Sequence, residues 1–242
     1  MADLPFELPA DLSARLLCAL DVEGKIPRGL DALGPLAGRD VVLIDGDGGV
    51  RARQLAALGA HLTVLERPER VVPLKGALAG LGDQAGVREG SATRIPLPDE
   101  SADAVVACWS AFRGPAADEL AEADRVLRPA GRLLVLHDYG RDDVQRLLPE
   151  AYTLPMAWSR RDGPFLAGGF RIRVIHCWWT FESVEAASGL LALAFGERGA
   201  ALAAELRRPR LSYNVAVYHR GGPPSAEVVL SGDMAASAAR PG

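Results

Sequence analysis

Through the first 140 residues, short continuous apolar runs alternate with segments whose apolar residues recur at helical spacing. Val41-Val42-Leu43-Ile44 is unbroken and rich in β-branched side chains, the pattern of a strand covered on both faces. Similar runs at 61–65, 87–89, 102–109 and 131–137 predict four more strands. Between them, residues 50–58, 68–80 and 116–127 read as helices, the first stopped by Gly59. This alternation predicts parallel βαβ units with right-handed crossovers, hence a Rossmann-like, doubly wound α/β sheet. Upstream, Leu12, Leu16, Leu17 and Leu20, then Ile26, Leu30 and Leu33, predict helices over 11–20 and 25–36. After residue 140 the texture changes. A helix over 141–149 is expected, then an irregular stretch carrying aromatics, a strand over 170–178, helices over 183–195 and 198–206, and a last strand over 212–219. The two late strands bring the sheet to seven, with one of them antiparallel.

Three parts follow from this pattern: N-terminal helices over 1–37, an α/β domain over 38–220, and a tail over 221–242 rich in Gly, Pro, Ala and Ser. The tail has little apolar surface to offset the entropy of ordering and is expected to stay unfolded. Hydrophobic residues at 49% and charged residues at 24% are globular composition. A formal charge of −4 gives no general attraction to nucleic acid or an anionic membrane. The cluster Arg207, Arg208 and Arg210 reads as a solvated face. Cys18, Cys108 and Cys177 form no CxxC pair, so neither a metal site nor a disulfide framework is expected. Free thiols, the absence of an apolar run of about 20 residues, and an N-terminus without a basic leader lead us to expect a cytoplasmic protein.

Candidate chemistry begins at the end of the first strand, where open α/β sheets hold their ligands. The turn Asp45-Gly46-Asp47-Gly48-Gly49 lets backbone approach a ligand closely, and a helix N-terminus follows it. Glu66 ends the second strand twenty residues after Gly46, where a carboxylate can accept both hydroxyls of an adenosine ribose. Tight strand–helix turns also use glycine for sterics alone. The turn and the acid together point to a nucleoside site.

The segment VVLIDGDGGVRARQLAALGAHLTVLE resembles the first two motifs of class I S-adenosylmethionine (SAM)-dependent methyltransferases. GSATRIPLPDESADAVVACWSAF resembles their adenine loop and fourth strand, and EADRVLRPAGRLLVLHDYG their fifth strand with its lead-in. The phrase around Ile95-Pro96-Leu97-Pro98 is typical of the small-molecule and quinone-type branch. The resemblance covers about residues 38–140 and implies SAM as cofactor. It places Asp45, Gly46, Asp47 and Gly48 at the methionine moiety and Glu66 at the ribose. It sets Ser91 and Ala92 beside the adenine edge, Ile95 against its ring, and Trp109 facing cofactor or substrate. Three positions depart from the family pattern. Ile44 stands where an acid is usual, Asp45 following one place later on the opposite side of the strand. Val50 replaces the third glycine, and Ser91 replaces the adenine-loop acid.

Methyl transfer needs in-line positioning and in some reactions a base. His137, Asp138 and Tyr139 cluster at the end of the fifth strand, and any of them could contact an acceptor, with His137 and Tyr139 the candidates for chemistry, although a capping Asp and a packed aromatic explain them at least as well. Trp109, Trp178, Trp179 and Tyr213 either line an apolar pocket or pack the core. The expected function is methyl transfer from SAM to a small molecule. A noncatalytic SAM-binding protein on the same fold is the first alternative. A nicotinamide-dependent oxidoreductase is distant, since the turn lacks the last glycine of GxGxxG. The acceptor and oligomeric state are not legible.

Overall fold

The computed structural model describes residues 8–46, 48–149 and 154–222. Seven strands form one sheet: β1 (Asp40–Ile44), β2 (His61–Glu66), β3 (Ala85–Glu89), β4 (Ala102–Cys108), β5 (Leu127–Asp138), β6 (Arg171–Thr180) and β7 (Arg210–Gly221). Their order is β3-β2-β1-β4-β5-β7-β6. The first five strands are mutually parallel, and β7 runs antiparallel to both its neighbours. Chain order reverses between β1 and β4, so a crevice opens at their carboxyl ends.

The helices are α1 (Ala10–Ala19), α2 (Lys25–Asp31), α3 (Val50–Ala57), α4 (Pro68–Leu78), α5 (Ala117–Val126), α6 (Leu154–Trp158), α7 (Pro164–Ala167) and α8 (Val184–Ala204). Period-2 side-chain alternation divides the strand residues between two cores. Val41, Leu43, Val64, Val106, Leu134 and Leu136 pack with α1–α4 and α8. Val42, Ile44, Leu65, Val105, Leu133 and Val135 pack with α5, α6 and α7. Both faces of the central strands are thereby dry, which is why they read as unbroken apolar runs.

Two expected helices are cut short. The predicted helix over 141–149 is a 3-10 turn at Val144–Leu147. The acids before it are committed to β7: Asn214 N donates to Asp142 Oδ2 at 2.6 Å and Ser212 N to Asp143 Oδ2 at 2.9 Å. These bonds fasten the segment to the sheet and leave it no room to wind. α2 ends at Asp31, whose Oδ1 accepts from Leu36 N at 2.9 Å, instead of running to residue 36. The two predicted C-terminal helices are continuous across a kink at Gly196 (φ 57°, ψ −134°). Gly221, expected to open the tail, closes β7 opposite Arg132; the tail beyond 222 lies outside the described residues. No helix among the described residues is long and apolar enough to cross a membrane.

Candidate functional site

At the carboxyl end of β1 the glycines divide into two kinds. A Cβ at Gly46 would lie 2.5 Å from both Leu74 Cδ2 and Val64 Cγ1, and one at Gly49 (φ 78°) would lie 2.7 Å from Leu78 Cδ2. Glycine is therefore demanded there by the packing of β2 and α4 against the turn. At Gly48 (φ 37°) a Cβ would meet nothing within 4 Å, so open space lies beside this residue. Gly49 is the N-cap of α3, and the first-turn amides of that helix have no acceptor within it. We expect Gly46→Ala to destabilise the fold by about 1 kcal/mol, the low end for overpacking, because two flexible side-chain ends must shift. Urea denaturation would check this, and an unaltered midpoint would mean the turn has more slack than its geometry indicates.

Asp45 adopts a left-handed backbone (φ 55°) and is half-buried. Burial raises its pKa, a hydrogen bond with Ser110 opposes the shift, and the charge of Glu66 adds to it. Glu66 at the end of β2 is 1% exposed, and its Oε1 accepts from Arg67 N at 3.1 Å. Asp45 and Glu66 thus stand at the ends of adjacent strands, near enough to influence each other. Asp47 lies outside the described residues. Ile44, at the position of the family acid, is fully buried in the core beneath α5, so its side chain has no access to the crevice.

The loop after β3 is braced from α5. Ile95 N donates to Glu122 Oε1 at 2.7 Å, while Arg125 donates to the carbonyls of Ile95 and Leu97, each at 2.9 Å, and to Asp99. Ser91 is exposed, closes a tight turn with Arg94 and shares a hydrogen bond of 3.1 Å with Thr93. Ala92 and Ile95 are 4% and 2% exposed within the core beneath α5, leaving little of either surface for a ring to cover. A cleft of about 590 Å³ opens past the end of β4, bordered by Thr93, Ser110, Phe112, Arg113 and Glu119. Glu119 is held to the loop by Phe112 N at 3.1 Å, and burial raises its pKa.

Trp109 and the two chemical candidates sit differently from expectation. The indole of Trp109 is 5% exposed and turned into the core, and its Nε1 donates to Asp138 Oδ1 at 2.7 Å. Tyr213 Oη donates to the same oxygen. Burial pushes Asp138 up to about 6. His137 is 1% exposed, donates from Nε2 to the Phe112 carbonyl at 3.0 Å, and packs 4.7 Å from the Trp158 ring. Burial pushes it down to about 4, so it is neutral and enclosed. Tyr139 is half-buried, with the Arg141 guanidinium 5.4 Å from its ring centre. A base sequestered like His137 cannot reach an acceptor without the loop of Phe112 moving.

One residue of this region gave no sequence signal. Arg51, in the first turn of α3, is 8% exposed and lies over the Trp109 ring at 5.1 Å. An arginine two residues into an amphipathic helix reads as a solvated side chain. Only the turn of the chain toward β4 buries it. Among the described residues no cluster of His, Cys, Asp and Glu suits a metal ion.

The geometry agrees with relatives found by comparison. The methyltransferase domain family matches residues 46–135. The ubiquinone/menaquinone biosynthesis C-methyltransferase UbiE of Methylobacterium nodulans is 33% identical over 126 residues, a match spanning 49% of this chain and 50% of that protein. The chain thus matches about half the length of that relative. A SAM-dependent methyltransferase from Aquifex aeolicus superposes with a TM-score of 0.53 at 16% identity, covering 88% of this chain and 98% of that one. A 4+2 cyclase, SpnF, superposes with a TM-score of 0.50 at 16% identity over 84% and 82% of the two chains. At these identities the structural likeness is one of fold alone, and the cyclase marks how far chemistry can diverge on it. The glycine turn, the buried acid ending β2, the strand order and the sequence matches agree: residues 46–135 match the methyltransferase domain family, the fold is shared with a solved SAM-dependent methyltransferase, and S-adenosylmethionine is the cofactor these likenesses support.

Proposed function

We propose that this protein transfers a methyl group from SAM to a small-molecule acceptor bound past the end of β4. The observation that carries the reading is Glu66, a carboxylate 1% exposed at the end of β2, the strand beside the turn whose Gly48 borders open space. A carboxylate at the end of β2 is an acceptor that ribose hydroxyls can donate to. SAM contributes the activated methyl group: its sulfonium C–S bond breaks as the acceptor nucleophile bonds to the methyl carbon.

The chain's own contribution is positioning. Asp45, Gly46 and Gly48 form the floor beneath the methionine end, and the Ser91 turn, backed by the buried Ala92 and Ile95, forms the wall on the adenine side. The Arg125 and Glu122 brace keeps that wall fixed. Trp109, held by Asp138, supports the floor from within the core. The cleft past β4 is the acceptor's place, and the quinone-pathway relative favours a small aromatic acceptor there. With His137 enclosed and neutral, an acceptor that is already nucleophilic, or one deprotonated through solvent, suits this site best.

A noncatalytic SAM-binding role is the second reading, favoured by that same enclosure of His137. Incubation with methyl-labelled SAM and a panel of phenols, quinols and amines separates the two. Release of S-adenosylhomocysteine (SAH) that depends on one acceptor class is expected. Stoichiometric SAM binding with no labelled product across the panel would establish the second reading instead.

A further inference from the structure

Arg51 carries an unused pair of donors inside the protein. Its Nη1 donates to Gln54 Oε1 at 2.6 Å, whereas its Nε and Nη2 are buried and have no hydrogen-bond partner. Those two nitrogens form one edge of the guanidinium, with their N–H bonds parallel, the fork that grips two oxygens of one oxyanion. Gln54 is neutral, and no carboxylate among the described residues pairs with Arg51. A charge 8% exposed, with two of its three nitrogens unsatisfied, is a large desolvation penalty left open.

Its surroundings say what would close it. The guanidinium lies against the Trp109 ring, and its charge is felt by two buried thiols, Cys108 in β4 and Cys177 in β6. It therefore lies near the carboxyl end of the sheet, beside residues of the face opposite Ala92 and Ile95. The first turn of α3 adds the positive end of a helix dipole. Indole and thiol walls suit a planar monoanion. A phosphate dianion would carry a far heavier desolvation cost into such surroundings.

We propose that the Nε/Nη2 edge of Arg51 is a carboxylate site, gripping in two-point fashion a carboxylate of a ligand bound in the crevice. The proposal rests on the methyltransferase reading for the ligand's location and adds the anchor that reading lacks. With Ile44 in place of the acid that would meet the cofactor's ammonium group, the chain has exchanged a negative anchor for a positive one. Two ligands can bring the carboxylate: the amino-acid end of the cofactor, or an acidic acceptor.

Three variants and two pairs of probes decide. Arg51→Met keeps the volume without charge, Arg51→Lys keeps the charge without the fork, and Arg51→Gln is the small neutral control. All should fold, and the Met variant should melt at or above the wild-type temperature, since an unpaired buried charge is removed. The first pair is SAH and 5′-methylthioadenosine, which share the nucleoside while only SAH bears a carboxylate. The second is benzoate and methyl benzoate, added with and without SAH. If the cofactor supplies the group, SAH binding falls roughly ten-fold or more in Met and Gln and less in Lys, with methylthioadenosine unchanged. If the acceptor supplies it, SAH binding is unchanged, and benzoate, but not its ester, raises the wild-type melting temperature and has no effect on Met. Equal behaviour of wild type and Met toward all four probes overturns the proposal. Failure of wild type to bind either nucleoside would overturn the cofactor geometry instead, and the benzoate pair would still test the fork.

Discussion

Glu66→Ala is expected to weaken SAH binding by about 1.5–3 kcal/mol, the range for hydrogen bonds to a charged group, in a protein that remains folded. The side chain is 1% exposed at the end of β2, and its Oε1 accepts from Arg67 N at 3.1 Å. Removing it deprives the complex of its ribose acceptor. The change also reaches Asp45, whose pKa the Glu66 charge helps to raise. In the alanine variant Asp45 should titrate lower, a shift visible by carboxylate NMR. Glu66→Gln retains shape and one acceptor and should fall between wild type and alanine. Titration calorimetry measures all three, and unaltered affinity in a folded Glu66→Ala protein would move the ribose away from β2.

The second large effect concerns pH. Burial raises Asp138 from 3.8 to about 6, and Asp142 likewise to about 6. A carboxyl whose folded-state pKa lies above its unfolded value stabilises the fold when protonated. That stability is fully present below about pH 4 and lost as pH climbs through about 6. A shift of about two units corresponds to roughly 3 kcal/mol. His137, pushed down to about 4, works in the opposite sense: its contribution is present above pH 6.5 and lost as pH falls through 4. The wild-type profile therefore mixes opposing slopes, and the difference from a variant isolates the aspartate. Asp138→Asn keeps an oxygen for the Trp109 and Tyr213 donors, which both use Oδ1. It should match wild type near pH 4 and exceed it by on the order of 3 kcal/mol at pH 8. Denaturant melts at the two pH values would check this. Parallel profiles for the two proteins would mean that Asp138 is ionised at little cost, its two donors compensating for burial.

The burial of Asp138 and of Arg51 is not legible in the chain. Both lie at element ends, where one-dimensional patterns say least. Asp138 follows the apolar run of β5 and looks like a strand cap, yet its carboxylate is the acceptor that Trp109, 29 residues earlier, and Tyr213, 75 residues later, both require. Arg51 has the spacing of a surface residue. Similarly, Trp109 was expected to face the ligand because it ends β4, but its backbone (φ 54°) and the bond to Asp138 swing the indole into the core. The acids at 142 and 143 looked like the start of a helix until β7 offered them its backbone amides.

The amino-acid pattern alone determined the strands, their parallel alternation with helices, the late antiparallel closure, the glycine turn and the acid at Glu66. Each of these depends on neighbours within a few residues or on a period of 2 or 3.6, which a linear chain displays directly. Tertiary structure decided what those residues face. Gly46 and Gly49 are glycine because Leu74, Val64 and Leu78 crowd them, whereas Gly48 borders open space. His137 is enclosed by Trp158 and the Phe112 loop, and Arg51 is buried with its fork unfilled. These outcomes turn on contacts between segments far apart in the chain. Burial sets the charge state and free donors of a side chain, and burial is a property of packing that no local pattern carries.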